Sequence, residues 1–199
     1  MSTLQSGPSL SPCRTRIDEY QATYDIQEVH SIDIAAEPGV TYRAMRALDL
    51  WEVKLLRVLF GLRELPARIL RRGEARQKMD FESLCEMGFI LLDEAPGQEF
   101  VLGIVAKFWS LAPAPIAVEP EDFRALHKPG HCKATWNFHF ESTEDGTRVT
   151  TKTRVEMGSK LAGVLFRAYW FFVAPFSGVI RLAILRHLRT KVETSQNQD

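Results

Sequence analysis

Residues Ser159 to Val192 read SKLAGVLFRAYWFFVAPFSGVIRLAILRHLRTKV, the longest amphipathic stretch in the chain. Leu161, Val164, Leu165, Ala168, Phe172, Phe176, Ile180, Ala183, Ile184, Leu188 and Val192 recur at the three- and four-residue spacing of one helical face. That face is expected to be buried. Arg167, Arg181, Arg186, Arg189 and Lys191 fall largely elsewhere around the wheel. Pro175, followed by Ser177 and Gly178, removes a backbone donor and crowds the preceding turn, which predicts a kink there. A helix this long needs an equally long surface to cover, and the segments before it supply one.

Working back, Thr147 to Met157 alternates Val149, Thr151, Thr153 and Val155 on one side with Arg148, Thr150, Lys152, Arg154 and Glu156 on the other. Glu144-Asp145-Gly146 is a hairpin signal. Before it, His131 to Glu141 places Cys132, Ala134, Trp136, Phe138 and Phe140 inward. Phe89 to Asp93 and Glu99 to Trp109 form a second predicted hairpin about Ala95-Pro96-Gly97-Gln98. Leu111 to Pro120 holds three prolines and reads as a loop or edge. A first strand, Tyr24 to Ile34, has Tyr24, Ile26, Ile32 and Ile34 on one face. Short helices follow it: one from Pro38 to about Leu48, one capped by Asp49 and ending near Gly61, and one from Pro66 to Arg72. Asp80 caps another brief helix that stops at Gly88. The pattern predicts an α+β fold: a curved antiparallel sheet wrapped around a long C-terminal helix, with two or three smaller helices after the first strand.

The chain has 199 residues, enough for one domain with a sizeable core. Hydrophobic residues make up 45% and charged residues 25%, which argues against disorder. Net charge is zero, so no global field favours nucleic acid, although positions 43 to 78 are locally basic. Cys13, Cys85 and Cys132 form no Cys-x-x-Cys pair and point to a reducing compartment, hence a cytoplasmic protein. Residues 1–22 read as a disordered arm, 23–193 as the domain and 194–199 as a disordered tail. The apolar run Ala168 to Ile180 is shorter than the roughly 20 residues of a spanning helix.

This order resembles the helix-grip fold of the START-like superfamily, which includes pollen-allergen-like carriers, lipid-transfer domains and polyketide cyclases. The runs Glu99-Phe100-Val101-Leu102-Gly103, Phe108-Trp109, Trp136-Asn137-Phe138, Thr150-Thr151-Lys152-Thr153-Arg154 and Tyr169-Trp170 look like those of a bacterial subgroup of it. The resemblance implies a cavity between the final helix and the sheet. The longer basic section Leu50 to Lys78 departs from the simplest carriers, so ligand size is not carried over.

The candidate lining is Phe100, Leu102 and Ile104, Trp136, Phe138 and Phe140, Thr151 and Thr153, and Phe172 and Phe176 from the helix. Apolar walls with a few polar groups suit a small-molecule pocket; the same aromatics would also fill a core. Glu28 and His30 share the apolar side of the first strand, their Cβ atoms roughly 7 Å apart. Three readings stand for them: orientation of a polar ligand group, general acid-base work on a polyketide-like substrate, or a structural role such as an ion pair with an inward arginine like Arg167. His127, His131 and Cys132 have metal-binding elements, but Lys128-Pro129-Gly130 keeps the histidines off one helical face, and no metal or other cofactor is expected. The expected partner is a hydrophobic or amphipathic small molecule: lipid, isoprenoid or polyketide-like. The alternatives are a cyclase- or dehydratase-type enzyme and a peripheral lipid-transfer module whose basic helices touch an anionic membrane surface weakly.

Overall fold

The computed structural model describes residues 15–53, 79–110 and 114–196. Its elements are α1 (Ile17–Tyr20), β1 (Ile26–Ile34), α2 (Pro38–Arg46), a 3-10 turn (Leu50–Glu52), α3 (Phe81–Glu86), β2 (Ile90–Ala95), β3 (Glu99–Ala106), α4 (Pro120–Phe123), β4 (Cys132–Thr143), β5 (Gly146–Met157) and α5 (Lys160–Gln196). The fold is α+β. One curved antiparallel sheet runs in the order β1-β5-β4-β3-β2, and α5 crosses its concave face. Asp80 caps α3 by accepting from the Ser83 backbone N–H at 3.0 Å. Asp49 accepts from the backbone N–H groups of both Trp51 and Met79, tying the 3-10 turn to the start of the next described segment. Of the predicted helices near 49–61 and 66–72, everything beyond Val53 lies outside the described residues.

The concave side holds two hydrophobic clusters. Under α2 and the far half of α5, Tyr42, Leu48, Phe100, Phe138, Phe140, Leu185 and Leu188 pack together. Under the near half, Ile104, Ala134, Val155, Ala162 and Phe166 form the second. A third cluster, Ile17, Leu92, Val101, Val105 and Phe123, lies on the convex face. It explains why all eight residues of β3 are buried. Gly103 makes this packing possible, since a Cβ there would sit 2.6 Å from the Phe123 ring.

This third cluster corrects the predicted arm. Thr15 to Gln21 docks on the sheet instead of trailing from it: Ile17 is fully buried and Asp18 pairs with the buried Arg154 at 2.6 Å. A polar, proline-containing composition concealed one apolar anchor and one charge match. At the other end, residues 194–196 continue α5 instead of opening a tail.

The second correction concerns α5. It bends by 52° between Lys160–Ala174 and Phe176–Gln196, where Pro175 removes a donor. Beyond the bend the predicted stripe faces in, with Ile184, Leu188 and Val192 buried. Before it the phase is reversed. Ala162 and Phe166 are buried, while Leu161, Val164, Leu165 and Phe172 point to solvent, as does Phe176 just past the bend. This limb carries two apolar rows, and spacing alone does not say which one meets the sheet. No single helix among the described residues is long and apolar enough to cross a membrane, although the two limbs of α5 together have the length and composition of a broken span.

Candidate functional site

Where α5 bends over the middle strands, it leaves two adjoining chambers. The first, about 190 Å³, is walled by Phe89, Ile104, Phe108, Ala134, Trp136, Thr153 and Val155 and by Phe166, Tyr169, Trp170 and Val173 of α5. The second, about 240 Å³, is walled by Leu50, Met79, Leu84, Met87, Ile180 and Ile184. Phe89, Trp136, Ser177 and Arg181 belong to both. Trp136 is fixed between them because its Nε1 donates to Thr151 Oγ1 at 2.7 Å, while that hydroxyl donates to the Asn137 carbonyl at 2.7 Å.

Arg181 is the polar feature of this junction. Its guanidinium donates to Glu28 Oε2 at 2.6 Å, to Thr153 Oγ1 at 3.0 Å and to Ser177 Oγ. Arg181 and Glu28 are largely withdrawn from water, their side chains 12% and 21% exposed, so the pair is held by geometry that a surface pair lacks. Burial pulls the Arg181 pKa below its ordinary value, and the charge of Glu28 opposes that shift. Glu28 and Thr153 face each other across the β1–β5 ladder, one step from the His30–Thr151 pair.

His30 lies against the bend. A Cβ on Gly178 would be 3.4 Å from its Cε1, so the missing side chain lets the helix close over the imidazole. The buried Nε2 has no hydrogen-bond partner. Burial first, then the positive charge of Arg181, lower the His30 pKa, with Glu28 acting the other way, so the site favours the neutral ring.

Of the predicted lining, Ile104, Trp136 and Thr153 wall the first chamber. Phe100, Leu102 and Phe138 instead surround a residual gap of about 20 Å³ under α2, and Phe140 packs edge-on against Tyr42. Thr151 orients Trp136. Phe172 and Phe176 are 71% and 53% exposed on the far side of the helix, so they do not line a cavity beneath it. Glu28 and His30 stand behind the chambers, and the groups that reach the walls are Arg181, Ser177 and Thr153. The arginine partnering Glu28 is Arg181 and not Arg167, which is exposed. The sequence reading missed Arg181, Phe89, Phe108, Phe166, Tyr169, Trp170 and Val173. An acidic residue on an apolar strand face was the signal, because it demands a cation on the helix that covers it.

A larger concavity, about 670 Å³, lies elsewhere among the described residues, an open trough on the convex face beside Asp33, Arg148, Lys152 and Arg154. Its arginines are already paired, Arg148 with Asp33 and Arg154 with Asp18, and polar and charged side chains make up most of its lining, unlike that of the chambers. No group of three or more His, Cys, Asp or Glu among the described residues is placed to hold a metal ion. Burial pushes the Cys132 thiol up to about 12, far from the thiolate a metal needs.

No protein-family model matches the chain, and no curated protein matches it. Among solved structures, TTHA0849 from Thermus thermophilus aligns over 85% of this chain and 99% of its own, at 14% identity and a TM-score of 0.32. That likeness is too slight to bear on fold or function.

Proposed function

We propose that this chain binds a hydrophobic or amphipathic small molecule, of lipid, isoprenoid or polyketide-like character, in the chambers beneath the bend of α5. The observation that carries the reading is an apolar, aromatic-walled space whose two halves meet at one partly buried guanidinium. Together the chambers reach the range of roughly 300–1,000 Å³ common to small-molecule sites. Each 100 Å² or so of apolar ligand surface buried there contributes about 2.5 kcal/mol. Glu28 already neutralises Arg181, so an uncharged hydroxyl or carbonyl suits the polar end better than a carboxylate, which would have to displace Glu28. The sheet order and long covering helix are in keeping with a helix-grip, START-like fold, and the free thiols of Cys85 and Cys132 are in keeping with a cytoplasmic setting.

The test is native mass spectrometry of gently purified protein with identification of any bound compound, followed by titration with a long-chain alcohol while Trp fluorescence is read. A stoichiometric ligand or saturable quenching, abolished by Val173→Trp, which fills the first chamber, is the expected result. A bare mass together with no saturable response would overturn the reading.

A further inference from the structure

Along the limb of α5 before the bend and the first turn beyond it runs a second apolar face. Leu161, Val164, Leu165, Phe171, Phe172, Phe176 and Val179 are each between 40% and 77% exposed. On the helical wheel they fall within one broad sector, and the part of it before the bend, residues 161–174, is about 20 Å long. Phe171 and Phe172 meet edge-on at 5.3 Å between centroids, a paired aromatic projection held in water. Soluble monomers rarely leave so continuous an apolar strip uncovered.

Charge decides between possible occupants. No Asp or Glu occurs from Lys160 to Val192. Lys160, Arg167, Arg186 and Arg189 are exposed and make no ion pair among the described residues. Past the bend, the helical sector that was apolar continues as Arg186 and Arg189. Two copies packed through this face would bring basic rims together with no acid to answer them. Residues 54–78, with eight basic and two acidic positions, would meet the same like charge. A bilayer with anionic headgroups satisfies both features at once, taking the apolar strip into the acyl boundary and the arginines at the headgroup level.

We propose that the outer face of α5, centred on Phe171 and Phe172, docks the protein in the plane of an anionic lipid bilayer. The inner face of the same limb walls the first chamber through Phe166, Tyr169, Trp170 and Val173. Docking stands whether or not the chambers hold a ligand.

The experiment is co-sedimentation of the full chain with extruded vesicles of phosphatidylcholine alone and of phosphatidylcholine with about one-third phosphatidylglycerol. The protein is expected in the pellet with the anionic vesicles and to be largely released by high salt. The exposed double substitution Phe171→Ser/Phe172→Ser is expected to weaken binding at least about tenfold, with an unchanged circular dichroism spectrum and unfolding midpoint. Arg167→Gln/Arg186→Gln/Arg189→Gln is expected to remove the preference for phosphatidylglycerol. The proposal is overturned if neither vesicle pellets the protein, or if the serine variant binds as wild type. It is equally overturned if light scattering gives a wild-type dimer that the serine variant converts to a monomer while neither binds vesicles, since a second copy then covers the face.

Discussion

The two limbs of α5 are built from similar residues and behave differently. From Ile180 onward, beyond the bend, one apolar row is buried and the opposite face carries Arg186 and Arg189, so residue spacing has a single solution. Before the bend, the row containing Ala162, Phe166, Tyr169 and Val173 meets the sheet, while the row containing Leu161, Leu165 and Phe172 meets water. The lesson is that helical periodicity reports that an apolar face exists, whereas phase is set by what the sheet offers. Here the sheet offers Trp136, Thr153 and Ala134, against which an aromatic row fits with space to spare.

The sharpest way to break this comparison lies within the first limb. Phe166→Ala removes a ring that is 2% exposed and stacked at 5.5 Å on Trp170, and is expected to cost about 3–5 kcal/mol in urea unfolding. Phe172→Ala, on the other row, is expected to change stability by less than about 0.5 kcal/mol. Equal losses would mean that the two rows have been assigned the wrong way round. A smaller effect separates the limbs at their junction. Arg181→Met strands Glu28 under the helix and is expected to cost about 3 kcal/mol, part of which Glu28→Gln restores in the double variant. Purely additive losses in that cycle would show that the pair is not coupled.

The smallest expected effect is on pH dependence. In the unfolded chain His30 takes up its proton near pH 6.5, whereas in the fold it does so at lower pH. The unfolded state therefore binds more protons between those values, so this contribution is complete above pH 6.5 and is lost as pH falls toward the folded pKa. Denaturation midpoints measured from pH 7.5 down to pH 5 are expected to decline in wild type and to decline less in His30→Gln. Parallel curves would place the sensitivity elsewhere.

Much of the architecture was legible because two independent signals agreed: period-two alternation in β4 and β5, and turn residues at Pro96-Gly97 and Asp145-Gly146. The site was less legible. Arg181 was grouped with the polar face, since a wheel weighs a residue by type and not by the partner waiting opposite. Phe100, Phe138 and Phe140 were placed at a cavity because they face inward, yet Tyr42, Met45 and Leu48 of the α2 region fill that end. The continuous apolar run in β3, with Val101 and Val105 between Phe100, Leu102 and Ile104, was a readable sign of burial on both faces. It called for a layer on the convex side, which the first described residues supply.

The pairing of β1 with β5 also has a temporal consequence. Ile26 finds Val155, and Ile34 finds Thr147, well over a hundred residues downstream. On the ribosome β1 has no ladder to join until β5 has emerged, and the helix that covers Glu28 and His30 follows later still. Loop closure of that span is costly before the contacts it permits can form. The first strand is therefore the last of the five to find its ladder, and it stays an unpaired edge for as long as the residues between it and β5 are being made.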